Sequence, residues 1–516
     1  PGSFSPLLDR GEGAARRRRR PMRPPLLLWA VCAVAAAGGT GQEATGRCAV
    51  ASGLCGPSGG AYHWPTQKGG LDRTGFSPHP VPDLTKGPAW MWFDPFSDVV
   101  RATPLIDDKR NIYLTTVGGR IYKFNRIGVI IWEKRLDVGI PTVGALYNGS
   151  FFAGTKSGQL LSLSMDSGEE QWQATVSTVG VTAHDPSSIF VLDGIVVLAT
   201  HTSSDTEQGN SAVVAVTAED GRPLWRYYPA QRTIGLQVCS PGDDTIVFQD
   251  KVGGLYRLGL RDGRQVWRSG RIGAKWADTH STGAAVCHAG KVFVVSNEQG
   301  SGSVHAGGAL HVYSVEDGKR LWQVYLVHPA NQAVAVGPHP TEKGKHVAIV
   351  GMGANPGRPA ILEGTHHLGY WGGVLIHQVD TYFPWVFDTR ASALAAYDTE
   401  TGRRLWHFDL EPFPRHTALG DTERIRQRHA DMFTGANPYN DIMCLPASCA
   451  QPVIGPDGTA YVGWQDGRVY AVRDANGDGR IDPQAEVSWH QFSDGFQGSV
   501  GLAPGMLVAA PCGGGL

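Results

Sequence analysis

Hydrophobic and polar residues alternate in short runs along most of this chain, at the period of two that a half-buried strand requires. Between residues 103 and 132 the order is apolar strand, polar turn, apolar strand, polar turn. Thr103-Pro104-Leu105-Ile106-Asp107-Asp108 leads into Ile112-Tyr113-Leu114-Thr115-Thr116, and then into Gly118-Gly119-Arg120-Ile121-Tyr122-Lys123-Phe124. A Gly-x-x-x-Trp spacing closes the unit at Gly128 and Trp132. It recurs at Gly168/Trp172, Gly221/Trp225, Gly263/Trp267, Gly318/Trp322 and Gly402/Trp406. Gly supplies the positive φ of a tight hairpin turn, and Trp supplies a large flat surface between stacked sheets.

Each unit therefore holds four strands in about 40 residues, the size of a β-propeller blade. Trp322, Trp406 and Trp489 lie two unit lengths apart, which marks insertions at about 354–391 and 411–445. First strands begin near Arg101, Pro141, Ser187, Gln237, Ser281, Gln332, Ala450 and Gly498. The expected fold is all-β: a propeller of four-stranded antiparallel blades, eight in number with seven as the alternative. N- and C-terminal strands would close it, with Trp90-Met91-Trp92-Phe93 supplying an outer strand to the last blade.

Composition agrees with strands and tight turns: 68 Gly, 15 Trp and only 18% charged residues in 516. A net charge of −1 argues against nucleic acid as the main partner, and 41% hydrophobic residues argue against a disordered chain. No run of 18 apolar residues is present, so no transmembrane helix is expected. Residues 1–21 read as a leader or mis-assigned start, expected to be disordered. Residues 22–40 read as a signal peptide, with Arg16 to Arg20 upstream, an apolar core from Leu26 to Ala37, and small residues at its end. Residues 41–63 then form a linker with a small Cys48/Cys55 loop, and the propeller spans 64–516. The expected location is secreted or in a secretory-pathway lumen, where disulfides such as Cys444/Cys449 are allowed. Cys239 and Cys287 sit in apolar strand contexts and read as small core residues.

The turn from Asp398 to Trp406 (Asp-x-x-Thr-Gly-x-x-x-Trp) resembles that of the PQQ-like, or quinoprotein, β-propeller family. Trp64-Pro65, Gly69-Gly70 and Arg73-Thr74-Gly75 look like the segment that often opens such propellers. The resemblance covers roughly 64–516. It implies the fold and leaves activity open, since the family includes quinone-dependent alcohol dehydrogenases, outer-membrane assembly scaffolds and lumenal sensors.

Three constellations could carry chemistry. Asp474, Asn476, Asp478, the Arg480 carbonyl and Asp482 place hard oxygen ligands at positions 1, 3, 5, 7 and 9 of a tight loop, as Ca²⁺ requires. This resembles the calcium hairpins of integrin-type propellers, in the turn between a blade's third and fourth strands. The two insertions carry His366, His367, His377, His416, His429 and Asp431; His429-x-Asp431 and the His366-His367 pair could bind a metal or move protons, but the insertions read first as an aromatic-packed cap. First strands line a channel with Arg101, Gln237, Gln332, Gln451 and Gln497. For a bound quinone (PQQ), Arg101, Lys275 and Trp276 are the cofactor candidates, with Asp278 and His280 as catalytic candidates beside a Ca²⁺ ion. The dehydrogenases of the family carry a vicinal Cys-Cys pair, and this sequence has none. The leading expectation is a binding or scaffold module engaging a protein or glycan partner through its loop-rich face. The alternative is a Ca²⁺-assisted, quinone-dependent dehydrogenase of an alcohol or sugar.

Overall fold

The computed structural model describes residues 62–178, 187–200, 212–233, 235–271, 279–280, 284–298, 307–330, 332–353, 391–413, 418–421 and 449–516, with Val379, Phe383 and Arg424. Among these residues the structure is strands and turns almost throughout. Blade 1 is typical, with Leu105–Ile106, Ile112–Thr115, Arg120–Phe124 and Ile130–Arg135 paired antiparallel in sequence order. Blades 2, 3, 5, 6 and 7 repeat this order over 145–175, 190–227, 286–326, 335–409 and 453–491. Blade 4 pairs Thr245–Gln249, Gly254–Gly259 and Gln265–Gly270, and Cys239 bridges Val247 as its innermost strand.

The count is thus seven four-stranded blades, the alternative of seven rather than the expected eight. The residues after 498 supply a hairpin, Gly501–Ala503 with Met506–Val508, and a bridge from Gly515 to Phe93, short of a four-stranded blade. The ends of the propeller chain do meet there. Trp92 and Leu516 exchange backbone hydrogen bonds of 3.0 and 2.9 Å, and Val100 N–H donates to the Cys512 carbonyl at 3.2 Å.

Inner strands are largely buried (Ile112–Thr115 throughout), whereas outer strands alternate, as an edge open to water on one side must. Each repeat Trp reaches across to the next blade. Trp132, Trp172, Trp225, Trp267 and Trp322 lie against Gly168, Gly221, Gly263, Gly318 and Gly402 in turn, and Trp90 lies against Gly128. Trp132 donates from Nε1 to the Met165 carbonyl at 3.0 Å, and Trp267 to that of Val315 at 2.8 Å. These indoles are half-buried, and Trp406 is more deeply covered at 4% exposure.

Cys239 and Cys287 are buried as expected, but they form a disulfide joining blades 4 and 5 rather than standing as separate core residues. Both lie on inner strands that neighbour each other around the ring, which brings the two sulfurs together despite a separation of 48 residues. Cys512 is disulfide-bonded as well. Cys48, Cys55 and Cys444 lie outside the described residues.

Candidate functional site

In a four-stranded antiparallel blade the first-to-second and third-to-fourth turns share one end, and the second-to-third turn and the connection to the next blade share the other. The insertion after Gly353 joins second and third strands, and the one after Phe413 joins blade 6 to blade 7. Both leave from the same end of the wheel, as a shared functional face requires. Their candidate residues His366, His367, His377, His416, His429 and Asp431 lie outside the described set.

The axis is occupied by residues 64–80, which visit the inner strands one after another. Trp64 exchanges backbone hydrogen bonds with Ile106 of blade 1, each 2.9 Å. The Pro65 carbonyl accepts from Leu146 of blade 2 at 2.8 Å, and Thr66 Oγ1 donates to the Ile189 carbonyl beside blade 3 at 2.9 Å. The carbonyls of Leu71, Asp72, Thr74 and Gly75 accept from Ser240, Cys287, Val336 and Ile454 of blades 4 to 7, all at 2.8 Å. The Pro80 carbonyl accepts from Gly505 in the terminal hairpin at 3.0 Å. The circuit ends where it began, with the His63 and His79 rings edge to face at 5.2 Å.

Two fully buried cations fasten this strap. Lys68 Nζ donates to the carbonyls of Val334 at 2.6 Å and Pro452 at 2.7 Å. Burial holds its pKa well below the usual lysine range, and the Asp72 carboxylate opposes that shift. Arg73 donates from Nε to the Val238 carbonyl at 2.8 Å, and from Nη1 to Thr66 Oγ1 at 2.7 Å and the Gln67 carbonyl at 2.5 Å. Burial pushes its pKa down to about 9, so it stays cationic at neutral pH. A Cβ at Gly75 would sit 2.7 Å from Lys68 Cε, so a side chain there would collide with the lysine.

Above the strap runs a line of amides. Gln67 Nε2 donates to Gln451 Oε1 at 3.1 Å, and Gln451 Nε2 donates to Gln332 Oε1 at 3.1 Å. Gln67 Oε1 and Gln237 Oε1 are buried without a hydrogen-bond partner. Of the channel residues expected from sequence, Arg101, Gln237, Gln332, Gln451 and Gln497 are all buried. Lys275, Trp276 and Asp278 lie outside the described residues, and of His280 only the backbone is described, pairing with Asn297. The structure therefore brings Gln332 and Gln451 together with Gln67 and buries Arg101, and the remaining quinone and catalytic candidates have no described side chains.

The 474–486 hairpin lies at the opposite end from the insertions, between Arg468–Val472 and Val487–Gln491. Asp474 is buried, and its carboxylate accepts from Gly477 N–H at 2.8 Å and Gly479 N–H at 3.1 Å. Glu486, beyond the five loop positions named from the sequence, folds back over the loop. It accepts from Ala475 N–H at 2.7 Å and Asp482 N–H at 3.0 Å. The donors are the hard oxygens that calcium takes. In this geometry they face the loop's own amides, and among the described residues no three His, Cys, Asp or Glu side chains converge as a metal centre.

Other residues that sequence reasoning missed act on the turns of the insertion-bearing end. Asp250 is buried, accepts from Val252 N–H, Gly254 N–H and Tyr256 Oη at 2.8–3.0 Å, and is pushed by burial up to about 6. Asp466 accepts from Tyr470 Oη at 3.0 Å in the matching turn of blade 7. The Asp-x₃-Tyr or Asp-x₅-Tyr spacing was the available signal.

The family whose sequence profile matches the chain is described as outer membrane protein assembly factor BamB, over residues 89–204, 117–303 and 251–484. No curated protein sequence matches the chain significantly. Among solved structures, BamB from Moraxella catarrhalis is similar with a TM-score of 0.51 and 12% identity, covering 83% of this chain and 97% of that one. The quinohemoprotein alcohol dehydrogenase from Comamonas testosteroni is similar with a TM-score of 0.55 and 14% identity, over 86% and 75%. A europium-containing methanol dehydrogenase gives 0.53 and 13%, over 86% and 88%. At these identities the similarity is one of fold.

Proposed function

Because this chain belongs to the PQQ-like β-propeller family, matched across residues 89–484, we propose that it is a binding scaffold that engages a protein partner through the end carrying its two insertions. One observation carries this reading: residues 64–80 fill the axis, and their cations are spent on backbone carbonyls of the wheel. The described channel is lined by amides bonded to one another, which suits a rigid support for outer loops. A scaffold role fits a family whose profile is that of an assembly factor. The buried Cys239–Cys287 disulfide supports placing the protein in an oxidising secretory lumen or outside the cell. A glycan partner on the same face is the variant of this proposal that a glycan array tests.

The second reading is a quinone-dependent dehydrogenase, favoured by the likeness to the dehydrogenase folds and by the burial of the candidate Arg101. A quinone held by Arg101, Lys275 and Trp276 would supply the redox chemistry, with Asp278 or His280 as the candidate proton acceptor. Purified protein given PQQ and Ca²⁺ should reduce no dye in the presence of alcohols or sugars. Substrate-dependent turnover that is lost in Trp276→Ala or Asp278→Asn would replace the scaffold reading with the enzymatic one. We also propose that Asp474, Asn476, Asp478, the Arg480 carbonyl and Asp482 take a Ca²⁺ ion that braces the outer hairpin. Its place at the far end from the insertions gives it no part in partner binding.

A further inference from the structure

Fourteen large apolar side chains are well exposed among the described residues, and half of them lie on two neighbouring stretches at the rim of blade 1. Met91, Phe93 and Phe96 belong to the segment that precedes blade 1. Ile127, Val129, Ile130 and Ile131 form the tip and start of its outer hairpin. The stretches are tied together. Trp90 Nε1 donates to the Arg126 carbonyl at 3.1 Å, Trp92 packs on Tyr122 with ring centres 4.7 Å apart, and the Arg120 guanidinium lies 3.3 Å above the Phe96 ring.

The other blades are internal controls. The residues flanking the turn glycine are Asp220 and Arg222, Asp262 and Arg264, Asp317 and Lys319 in blades 3, 4 and 5. In blade 1 the same places hold Ile127 and Val129, with exposures of 61% and 56%. Two places after the glycine, Arg320 and Arg404 of blades 5 and 6 correspond to Ile130. Of the six Gly-x-x-x-Trp turns, that of blade 1 alone has no charged residue on either side of its glycine. Its outer strand, Ile130–Arg135, pairs on one side alone and offers a free backbone edge.

We propose that this rim is the interface of a homodimer, in which the outer strand of blade 1 pairs antiparallel with its copy across a twofold axis. Area and charge both point to a second copy. With exposures of 39–61%, the seven here expose roughly 700 Å², taking about 150–250 Å² for a full side chain. A stable interface takes about 800 Å² from each partner, and a monomer's largest apolar patch is usually about 300–600 Å². The strand is also self-complementary: antiparallel pairing about an axis at Lys134 sets Glu133 opposite Arg135 of the second copy on one face, and Trp132 opposite Leu136 on the other. Glu133 keeps its own Arg120 at 3.0 Å.

Sedimentation velocity on the full chain, from about 1 to 100 µM, tests this over the weaker end of affinities seen for such interfaces. A dimer is expected within that range. The double variant Ile127→Asp/Val129→Arg restores the residues that blades 3 and 4 carry, so the fold has a precedent for it, and it should weaken the dimer at least tenfold. Circular dichroism and melting temperature should match the parent. Ile131→Lys, at an exposed site outside the turn, serves as an independent variant with the same expected loss. A parent chain that stays monomeric at the highest concentration overturns the proposal. So does a dimer that both variants leave unchanged, or a monomer that instead pellets with anionic lipid vesicles through these residues.

Discussion

At the scale of single residues, buried charge decides most. Arg73 is held by carbonyls of Val238 and Gln67 and by Thr66 Oγ1, so replacing it with Met leaves buried acceptors unpaired at about 1–3 kcal/mol each. Urea denaturation of Arg73→Met should show a loss of about 3 kcal/mol or more, and a change within error would mean that water replaces the guanidinium. His288 and Asp250 pull stability with pH in opposite directions. Burial, with His346 and its ring 4.6 Å away, pushes His288 down to about 4 from 6.5. Between those values the unfolded chain binds the proton more, so His288 makes the protein less stable as pH falls through that window. Asp250 is raised to about 6 from 3.8, so there the folded state binds the proton more, and its contribution declines as pH rises. Across pH 4.5 to 7.5, melting temperature should therefore rise less with pH in His288→Phe than in the parent, and more in Asp250→Asn. Parallel profiles for both variants and parent would show that neither group titrates in the fold.

Elements were the most legible level of this molecule. Six Gly-x-x-x-Trp turns were readable because a hairpin turn fixes residue type locally, through the φ of the glycine and the flat surface of the indole. What the spacing does not say is that each indole serves the following blade rather than its own. A Cβ at Gly402, where φ is +72°, would sit 2.7 Å from the Trp322 ring of blade 5. Gly402→Ala should cost about 1–3 kcal/mol for the left-handed backbone, with the collision added. Trp322 is half-buried and its Nε1 has no acceptor, whereas Trp406 is almost fully covered. Trp406→Ala should thus lose about 3–5 kcal/mol and Trp322→Ala clearly less; equal losses would mean that exposure does not govern the pair. In the outer hairpin the spacing at positions 1 to 9 was visible, but Glu486 was not, since only the folded turn brings it back over Ala475. If calcium joins that carboxylate set, chelator should lower the melting temperature of the parent. Asp478→Asn should abolish the difference, and identical curves with and without chelator would remove the ion from the hairpin.

For the whole molecule the sequence was least informative where contacts are most distant. The strap carries no periodic pattern, and its side-chain bonds span 123 residues from Thr66 to Ile189 and 384 from Lys68 to Pro452. Its Trp-Pro and Arg-Thr-Gly words hinted at an opening segment, not at a circuit of the wheel. The number of blades was uncertain for a related reason. Each complete blade announces itself by a local turn, whereas closure depends on a few bonds between Trp92 and Leu516 and between Val100 and Cys512. Such a wheel opens where the contacts between neighbouring blades are fewest, and the Cys239–Cys287 bond removes one place at which it could do so. Cross-linking across 48 residues restricts the unfolded chain by about 4 kcal/mol in the chain-entropy account, with about 2–4 kcal/mol commonly realised. Both sulfurs belong to buried residues, so reductant should leave the folded protein intact until denaturant opens it. The Cys239→Ala/Cys287→Ala variant should then unfold at lower urea, by that same about 2–4 kcal/mol. Rapid reduction of the native protein, measured by thiol labelling without denaturant, would instead show that blades 4 and 5 part readily and that the circuit of residues 64–80 alone holds the wheel closed.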